Sequence, residues 1–336
     1  MNVSREQLLK EIESVQPGLS TKGLIEQSSC VIFKNGKIYT YNDETTCFCK
    51  TCLDNITGAL RAVPLLNILR KLQAKEIDVS IEKNKLCLKE KRCRASLVLE
   101  KEIALPLDEI EPPDEWQELP EDFETAVKMV IGCAAKDELL SNIHIHPKHI
   151  ESCNKKILAR YDIEMGHQHP ILVRRDSLKN IIGQKMIYYS NTENWLHFKN
   201  ADGFVLSCRK TLDNYVNLDE FLEIEGQDVP LPKKINDAIR RAEVFSSDNP
   251  YENVVKVELK KGKTIVSGEG TFGSLKEVKK SDYKGDDITF LIPPNLLIDL
   301  TQQYDSCKIS DENNRLKIQS GKLSFVAVLF KIPSLT

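Results

Sequence analysis

The chain has 336 residues, of which 41% are hydrophobic and 29% are charged, and its formal net charge is −3. This composition is typical of a folded globular protein and excludes a disordered chain, while the length predicts two or three domains instead of one core. Because no stretch approaches the roughly 20 apolar residues of a membrane helix and residues 1–10 lack the layout of a signal peptide, we expect a cytoplasmic protein with no membrane partner.

Helix-like segments recur along the chain at intervals of about 115 residues, which indicates an internal repeat. In the first of them Leu8, Ile12 and Val15 have the spacing of one apolar helix face. One segment opens each block, and a second follows a strand near the middle of the block. The predicted helices are 6–12, 64–72, 121–127, 176–182, 233–239 and 294–303.

The rest of each block reads as short antiparallel strands. Residues 30–33 and 38–41 are two β-rich runs around Asn35-Gly36, a strong signal for a hairpin. In the last block, runs at 254–259 and 264–267 and at 308–310 and 316–319 flank polar turns. The middle block has runs at 186–190, 195–199 and 204–209.

Proline and acidic residues cluster at 106–120 and 223–232, as in exposed connectors between domains. We therefore predict three domains, at 1–113, 114–226 and 227–336. The predicted fold class is α+β, with two helices packed on small antiparallel sheets in each domain. The opposite helix faces are left free, and function could reside there.

The polar faces of the predicted helices carry basic residues, whereas acidic residues concentrate in the connectors. An acidic chain could thus present a basic stripe that attracts phosphates without reading bases. Ordinary solvated helix faces are the alternative, since Glu6, Glu11 and Glu124 share these helices. The basic residues are Arg5, Lys10, Arg70, Lys71, Lys128, Arg175, Lys179, Lys233, Lys234, Arg240 and Arg241.

Several local motifs resemble those of the bacterial β sliding clamp, the beta subunit of DNA polymerase III. They are the Leu-Leu-Lys-Glu-Ile run at 8–12, the loop at 16–22, the hairpin at Asn35-Gly36, Arg-Ala-Glu-Val-Phe-Ser-Ser at 241–247 and Tyr-Lys-Gly-Asp-Asp at 283–287. The resemblance covers essentially the whole chain through the threefold layout. It is closest to divergent, phage-like members of the family.

The resemblance implies a head-to-tail homodimeric ring of six domains, with helices lining a central hole and sheets on the outer rim. Such a ring encircles duplex DNA without sequence specificity and is not an enzyme. The implied partners are a DNA polymerase and an ATP-dependent clamp loader, and no cofactor is implied. Lys22 and Lys136 match loop positions where clamps touch the duplex.

The resemblance also implies a peptide-docking pocket between the second and third domains, where partner proteins insert a short hydrophobic motif. Such a site is concave and apolar with a polar rim. Plain core packing is the alternative for its apolar members. The matching positions are Cys153, Lys155, Lys156, Ile157, Leu158, Val216, Glu220, Phe221, Pro293, Val328 and Leu329.

Two segments depart from the family pattern, at residues 154–158 and in the tail at 330–336. The partner specificity of the pocket therefore does not follow from the resemblance. For the ring interface, Ala95 and Leu97 in the first domain and Val244 and Phe245 in the third match subunit-contact positions. Any strand or helix end would also bury apolar residues at such positions.

Two clusters of possible metal ligands occur in the sequence, but neither has a complete ligand set. Cys47, Cys49 and Cys52 have no second cysteine pair at zinc-ribbon spacing, so we expect free buried thiols. The histidines at 144, 146 and 149, with two more at 167 and 169, have no carboxylate placed by the sequence, and Pro147 interrupts the segment. We therefore expect no metal site.

The Gly-x-Gly-x-x-Gly string at 268–273 follows a strand but opens no helix, so it reads as a turn. Two other functions stay open beside the clamp. One is a clamp-like peptide-binding scaffold that does not encircle DNA, and the other is a metal-dependent enzyme that uses the histidines between 144 and 169.

Overall fold

The computed structural model describes residues 1–20, 22–23, 25–110, 112, 114–136, 139–246, 253–310 and 314–330. It divides into two compact units. The N-terminal unit comprises Met1–Ser152 and Ile163–Tyr215, and the C-terminal unit comprises Cys153–Asp162 and Val216–Thr336. Within the described residues, every helix is too short or too polar to cross a bilayer.

Seven α-helices are present in the described residues. They are α1 (Arg5–Ser14), α2 (Ala62–Lys71), α3 (Phe123–Val130), α4 (Arg175–Leu178), α5 (Asp219–Leu222), α6 (Asn236–Ser246) and α7 (Pro294–Gln303). The six predicted helices are confirmed by α1, α2, α3, α4, α6 and α7, and a 3-10 turn at Lys179–Ile181 extends α4. The short helix α5 was not predicted.

The strands of the first half of the chain are β1 (Asn2–Ser4), β2 (Cys30–Lys34), β3 (Lys37–Tyr41), β4 (Thr45–Lys50), β5 (Gly58–Arg61), β6 (Glu76–Glu82), β7 (Lys85–Glu90), β8 (Cys93–Val98), β9 (Gln117–Glu118), β10 (Asn142–His146), β11 (His149–Cys153) and β12 (Ile157–Asp162). Those of the second half are β13 (Ile171–Arg174), β14 (Met186–Asn191), β15 (Trp195–Asn200), β16 (Val205–Thr211), β17 (Gln227–Pro230), β18 (Val255–Lys260), β19 (Lys263–Gly270), β20 (Gly273–Lys280), β21 (Ile288–Ile292), β22 (Ser306–Ser310), β23 (Arg315–Ser320) and β24 (Leu323–Val328).

The predicted hairpins are confirmed, and their turns have the expected backbone. Lys34 of β2 pairs with Lys37 of β3, and the two residues between them, Asn35 and Gly36, have φ values of 51° and 69°. Positive φ at both central residues is the type I′ geometry that matches the twist of a hairpin. The glycine string also ends as predicted, because β19 and β20 pair up to Gly270 and Gly273 and leave a two-residue turn.

The N-terminal unit contains two antiparallel sheets. A four-stranded sheet has the order β1-β6-β7-β8, and a longer sheet runs β11-β10-β13-β16-β4-β3-β2-β5, with β15, β14 and β9 added beside β16. Strand β16, from the predicted second domain, pairs with β4 of the predicted first domain, with Leu206 opposite Cys47. A continuous ladder thus joins these two predicted domains in one unit, and the threefold division of the chain stays a prediction.

Helix α1 begins at a capped end and buries one face. The Ser4 hydroxyl accepts a hydrogen bond from the backbone N–H of Gln7, which satisfies one of the free donors of the first turn. Leu8 and Ile12 are fully buried, and α1 contacts α2. Burial of two such side chains stabilises the helix position by about 4 kcal/mol, and the opposite face stays in solvent.

The C-terminal unit also has two antiparallel sheets, β20-β19-β18-β21 and β17-β22-β23-β24-β12. Helices α6 and α7 contact each other and bury Ile239, Ala242 and Leu297 in the core of this unit. A Cβ atom on Gly268 of β19 would lie 1.9 Å from the carbonyl oxygen of Ala242. Only glycine therefore lets α6 lie this close to its sheet.

Candidate functional site

Half of the predicted DNA-contacting cations are held by other groups of the chain. Arg70 donates two hydrogen bonds to Glu13, at 2.8 and 3.1 Å. Lys128 lies 2.6 Å from Glu124 one turn earlier in α3. Exposed pairs of this kind stabilise a protein by at most about 1 kcal/mol, but each one neutralises a cation that could otherwise meet phosphate.

Acidic groups or carbonyls also hold the predicted cations next to α4 and α7. Lys179 lies 3.0 Å from Asp176, and Arg175 is half-buried with one N–H on the Ala134 carbonyl. The Lys179 hydrogen bond keeps the pKa of the Asp176 carboxyl below its usual value. Lys233 donates to the Thr301 carbonyl at 2.9 Å, at the C-terminal end of α7, where a cation is favourable.

Arg241 of α6 is bound to the edge strand β20. Its Nε and Nη2 atoms each lie 2.9 Å from a Glu277 carboxylate oxygen, and Lys279 lies 2.8 Å from the same carboxylate. Hydrogen bonds from Arg241 and Lys279 lower the pKa of Glu277 to about 2. Arg241 therefore holds α6 against the sheet that contains β20.

The other predicted cations are exposed and have no ion-pair partner among the described residues. Lys10 and Lys71 lie on the contacting helices α1 and α2, and Lys22 and Lys136 lie in loops of the same unit. Lys234 and Arg240 belong to the C-terminal unit, two residues before α6 and in the middle of α6, respectively. These six cations are the part of the predicted basic surface that is available to an anionic ligand.

The predicted pocket residues come together in the C-terminal unit. Strand β12 pairs with β24, with Ile157 opposite Ala327 and Leu158 opposite Val326, and Val328 donates its N–H to the Lys156 carbonyl. An isolated bridge between Leu291 and Phe330 joins the end of β21 to the same edge. The strands thus place the predicted segments at 156–158, 293 and 328–329 next to one another.

Helix α5 contacts β24 and contributes Phe221 to this surface. Phe221, Val216 and Val328 expose 52%, 40% and 42% of their surfaces, whereas Cys153, Leu158 and Leu329 are buried. Exposed large apolar side chains on neighbouring elements are typical of a docking surface. Lys155 and Glu220 are exposed and polar, as a rim requires, and Pro293 is half-buried.

Three cations that the sequence analysis missed hold α5 in place. Arg315 donates to the Phe221 carbonyl at 3.2 Å, and Lys317 donates to the Leu222 carbonyl at 2.7 Å. Arg160 lies 2.7 Å from Asp219 at the first turn of α5. The helix is only four residues long, so these contacts supply the stability that its own hydrogen bonds lack. Spacing in sequence gave no signal for them.

The predicted interface residues lie beside two free sheet edges. Ala95 and Leu97 belong to β8, the last strand of the sheet β1-β6-β7-β8, and both are half-buried. Val244 and Phe245 lie near the end of α6, and the Phe245 ring lies against Gly273 of the edge strand β20. Val98 and Val278, exposed apolar residues on β8 and β20, were not predicted, because solitary valines carry no signal in sequence. Edge strands offer unpaired N–H and C=O groups to another chain.

The three cysteines of the cluster form no disulfide, and Cys47 is buried while Cys49 and Cys52 are half-buried. Burial, with a smaller contribution from Glu11, raises the pKa of Cys52 to about 12, and burial raises that of Cys49 to about 11. These groups are therefore protonated at neutral pH and are poor nucleophiles. Of the tail at 330–336, which departs from the family pattern, only Phe330 lies within the described residues. Its ring centroid lies 5.0 Å from the Lys156 amine.

No family model and no curated protein matches the sequence. Solved structures of bacterial DNA polymerase III beta subunits match the fold over nearly the whole chain. The structure from Pseudomonas aeruginosa matches with a TM-score of 0.84 at 15% identity, covering 99% of this chain and 100% of that one. The structure from Streptococcus pneumoniae TIGR4 gives 0.85 at 14% identity, and that from Thermotoga maritima gives 0.82 at 15%, each covering 98% of this chain and 99% of the other.

These matches show the class of fold. The chain has the α+β fold of the DNA sliding clamps, and the predicted fold class is confirmed. In particular, its similarity is to the beta subunits of bacterial DNA polymerase III, as the local motifs indicated.

Proposed function

We propose that this chain is a DNA sliding clamp, a ring that encircles duplex DNA and tethers a DNA polymerase and other partner proteins. The match to polymerase III beta subunits over at least 98% of both chains carries the proposal. The six exposed cations supply attraction to phosphate without base readout. In this role the protein acts mechanically in the cytoplasm, and an ATP-dependent loader opens the ring.

A ring requires that subunits associate head to tail. Strands β8 and β20 are different free edges, and each displays an exposed valine. Pairing of β8 from one copy with β20 from a second would bury Val98 and Val278 and extend both sheets. Such a contact joins two different surfaces, so it either closes into a ring or continues into a filament. We propose closure as a homodimer.

Topology provides the test of the clamp. Loaded onto a nicked circular plasmid, the protein should stay bound in high salt, and it should be lost once a restriction enzyme linearises the DNA. Blocking both ends of the linear DNA with bound protein should restore retention. Equal loss from circular and linear DNA would contradict encirclement, because contact with phosphates alone is equally salt-sensitive on both.

A peptide-binding scaffold that does not encircle DNA is the second candidate. The exposed apolar surface of Phe221, Val216 and Val328 supports it, because that surface lies entirely within the C-terminal unit and needs no ring. Sedimentation velocity over a concentration series separates the two. A monomer at every concentration would favour the scaffold, and a dimer would favour the clamp.

A further inference from the structure

The hairpin of β10 and β11 gathers three histidines and one glutamate on one face. His144 and His146 alternate along β10, so they share a face, and His149 and Glu151 do the same on β11. The antiparallel register places His144 opposite Glu151 and His146 opposite His149. All four side chains therefore project from the same side of one two-residue turn, within the N-terminal unit.

The distances within this group are short. The Nδ1 atom of His144 lies 2.7 Å from Oε1 of Glu151, and Nε2 of His149 lies 3.5 Å from the same oxygen. One ligand atom each from these three residues lies within 4.8 Å of the other two. Tetrahedral zinc with bonds of about 2.0 to 2.1 Å holds its ligand atoms about 3.3 Å apart. Small side-chain rotations are enough to reach that geometry.

Burial favours a cation at this position. The Glu151 side chain is only 2% exposed, while His144 and His149 keep 14% and 15% of their surfaces in solvent. A buried carboxylate needs compensation by a positive charge or several hydrogen bonds. The partial exposure of the two histidines is the contact of this group with solvent.

We propose that His144, His149 and Glu151 form a binding site for a divalent transition-metal ion of the zinc type. Two imidazole nitrogens and one carboxylate oxygen are a ligand set that zinc uses, with a fourth position for water or another side chain. The ion would replace the hydrogen-bonded proton between His144 and Glu151. The His146 ring stacks on His149 with centroids 4.3 Å apart and supports that imidazole from one side, while its own Nδ1 accepts a hydrogen bond from the Lys148 N–H.

In sequence, no carboxylate is placed beside the histidines and Pro147 interrupts the segment, which argued against a metal. Both features look different in the folded hairpin. Pro147 occupies the turn, and that turn folds β11 back so that Glu151 faces His144. The site shares no residue with the predicted DNA, peptide or interface sets. A bound ion would cross-link β10 to β11 and stabilise the hairpin without taking part in the clamp function.

The experiment measures zinc binding to the full-length protein after removal of metal with a chelator, by competition against a chromophoric zinc indicator. We expect one ion per chain and a rise in Tm on adding zinc. Glu151→Gln and His149→Gln should each weaken binding at least about 100-fold, since each removes one of three ligands. His169→Gln removes an exposed histidine outside the group and should leave affinity unchanged.

Zinc also binds thiols, and the chain has ten cysteines. X-ray absorption of the one-to-one zinc complex distinguishes the two ligand types, with nitrogen and oxygen neighbours expected and sulfur neighbours overturning the proposal. Absence of stoichiometric binding at 100-fold excess of zinc over protein would overturn it as well. So would equal affinity in the wild type and His149→Gln, with circular dichroism used to check that the variant keeps the fold.

Discussion

Arg241 on α6 and Glu277 on β20 form a two-pronged ion pair, with both nitrogen–oxygen distances at 2.9 Å. The ion pair links two predicted surfaces. Its arginine belongs to the predicted DNA face, and its glutamate lies on the strand that we propose for the subunit contact. The charge of Arg241 is therefore largely compensated before any DNA arrives.

Glu277→Gln removes this compensation and keeps the length of the side chain. We expect tighter binding to duplex DNA at low salt and a slope of log affinity against log salt that is steeper by about 0.9, because one more cation displaces a counterion. Fluorescence anisotropy with a labelled duplex measures both quantities. Glu269→Gln has the same charge change on the neighbouring strand β19, and it should leave the slope unchanged. Identical slopes for the two variants would contradict the role of Arg241.

Phe221→Ala tests the peptide surface. The ring is half in solvent on α5, so its removal should have little effect on Tm while it weakens binding of a short hydrophobic clamp-motif peptide by about 2 kcal/mol, or roughly 30-fold. Isothermal titration calorimetry gives the affinity. Phe272→Ala is the matched control, since that ring is also exposed but lies in the turn between β19 and β20. Unchanged peptide affinity in Phe221→Ala would place the docking surface elsewhere.

Val278→Glu tests the subunit contact. If β20 meets β8 of a second copy, the new carboxylate becomes buried without a partner, and the dimer should dissociate at least about tenfold more readily. Sedimentation velocity across a dilution series reports the change. Ile187→Glu places the same charge on the exposed surface of β14 and should not affect association. A dimer of equal strength in both variants would exclude β20 from the interface.

His197 makes the N-terminal unit sensitive to acid. Its ring nitrogens lie 2.7 Å from the Ser207 hydroxyl and 3.2 Å from the Thr192 hydroxyl, and burial lowers its pKa to about 4 from an ordinary value near 6.5. The unfolded chain takes up the proton first, so the stabilisation is complete above about pH 6.5 and is lost as pH falls toward 4.

Between pH 7.5 and 5 this one group should lower the free energy of unfolding by about 2 kcal/mol. Urea unfolding of the wild type and His197→Asn at both pH values gives the difference. The variant should lose that share of the pH dependence, and His169→Asn, an exposed control, should keep it. If the free energy of unfolding of His197→Asn depended on pH as strongly as that of the wild type, the His197 imidazole would not titrate in this range.

The sequence predicted local structure well because local signals were present. Asn35-Gly36 specified its hairpin, and the spacing of Leu8 and Ile12 specified the buried face of α1. Pairings that depend on distant residues gave no signal. Examples are Leu206 opposite Cys47 and the carbonyls of α5 held by Arg315. Gly268 illustrates both cases. The glycine-rich segment at 268–273 predicted a turn, but nothing in it predicted the close approach of α6 that requires glycine at this position.

The same contrast between local signals and contacts of distant residues applies to the candidate site. The segments matched by resemblance at 156–158 and 328–329 lie side by side along β12 and β24, and their role in peptide binding stays a prediction. Charge type alone did not tell which cations are available, because Arg70 and Lys10 look alike in sequence and only the fold brings Glu13 to Arg70. The carboxylate beside His144 was missed for the same reason, since the turn that brings Glu151 back is a property of the folded hairpin.

The ladder between β4 and β16 determines how the protein tolerates being cut. A fragment that ends at residue 113 would keep both helices of the first block but would leave β4 without its partner on one side, with the otherwise buried Cys47 and Phe48 among its residues. Such an edge invites association with other chains. The two predicted domains of the N-terminal unit therefore have to be produced as one piece, and we expect them to unfold in one cooperative transition, with the amides of β16 among the last to exchange with solvent.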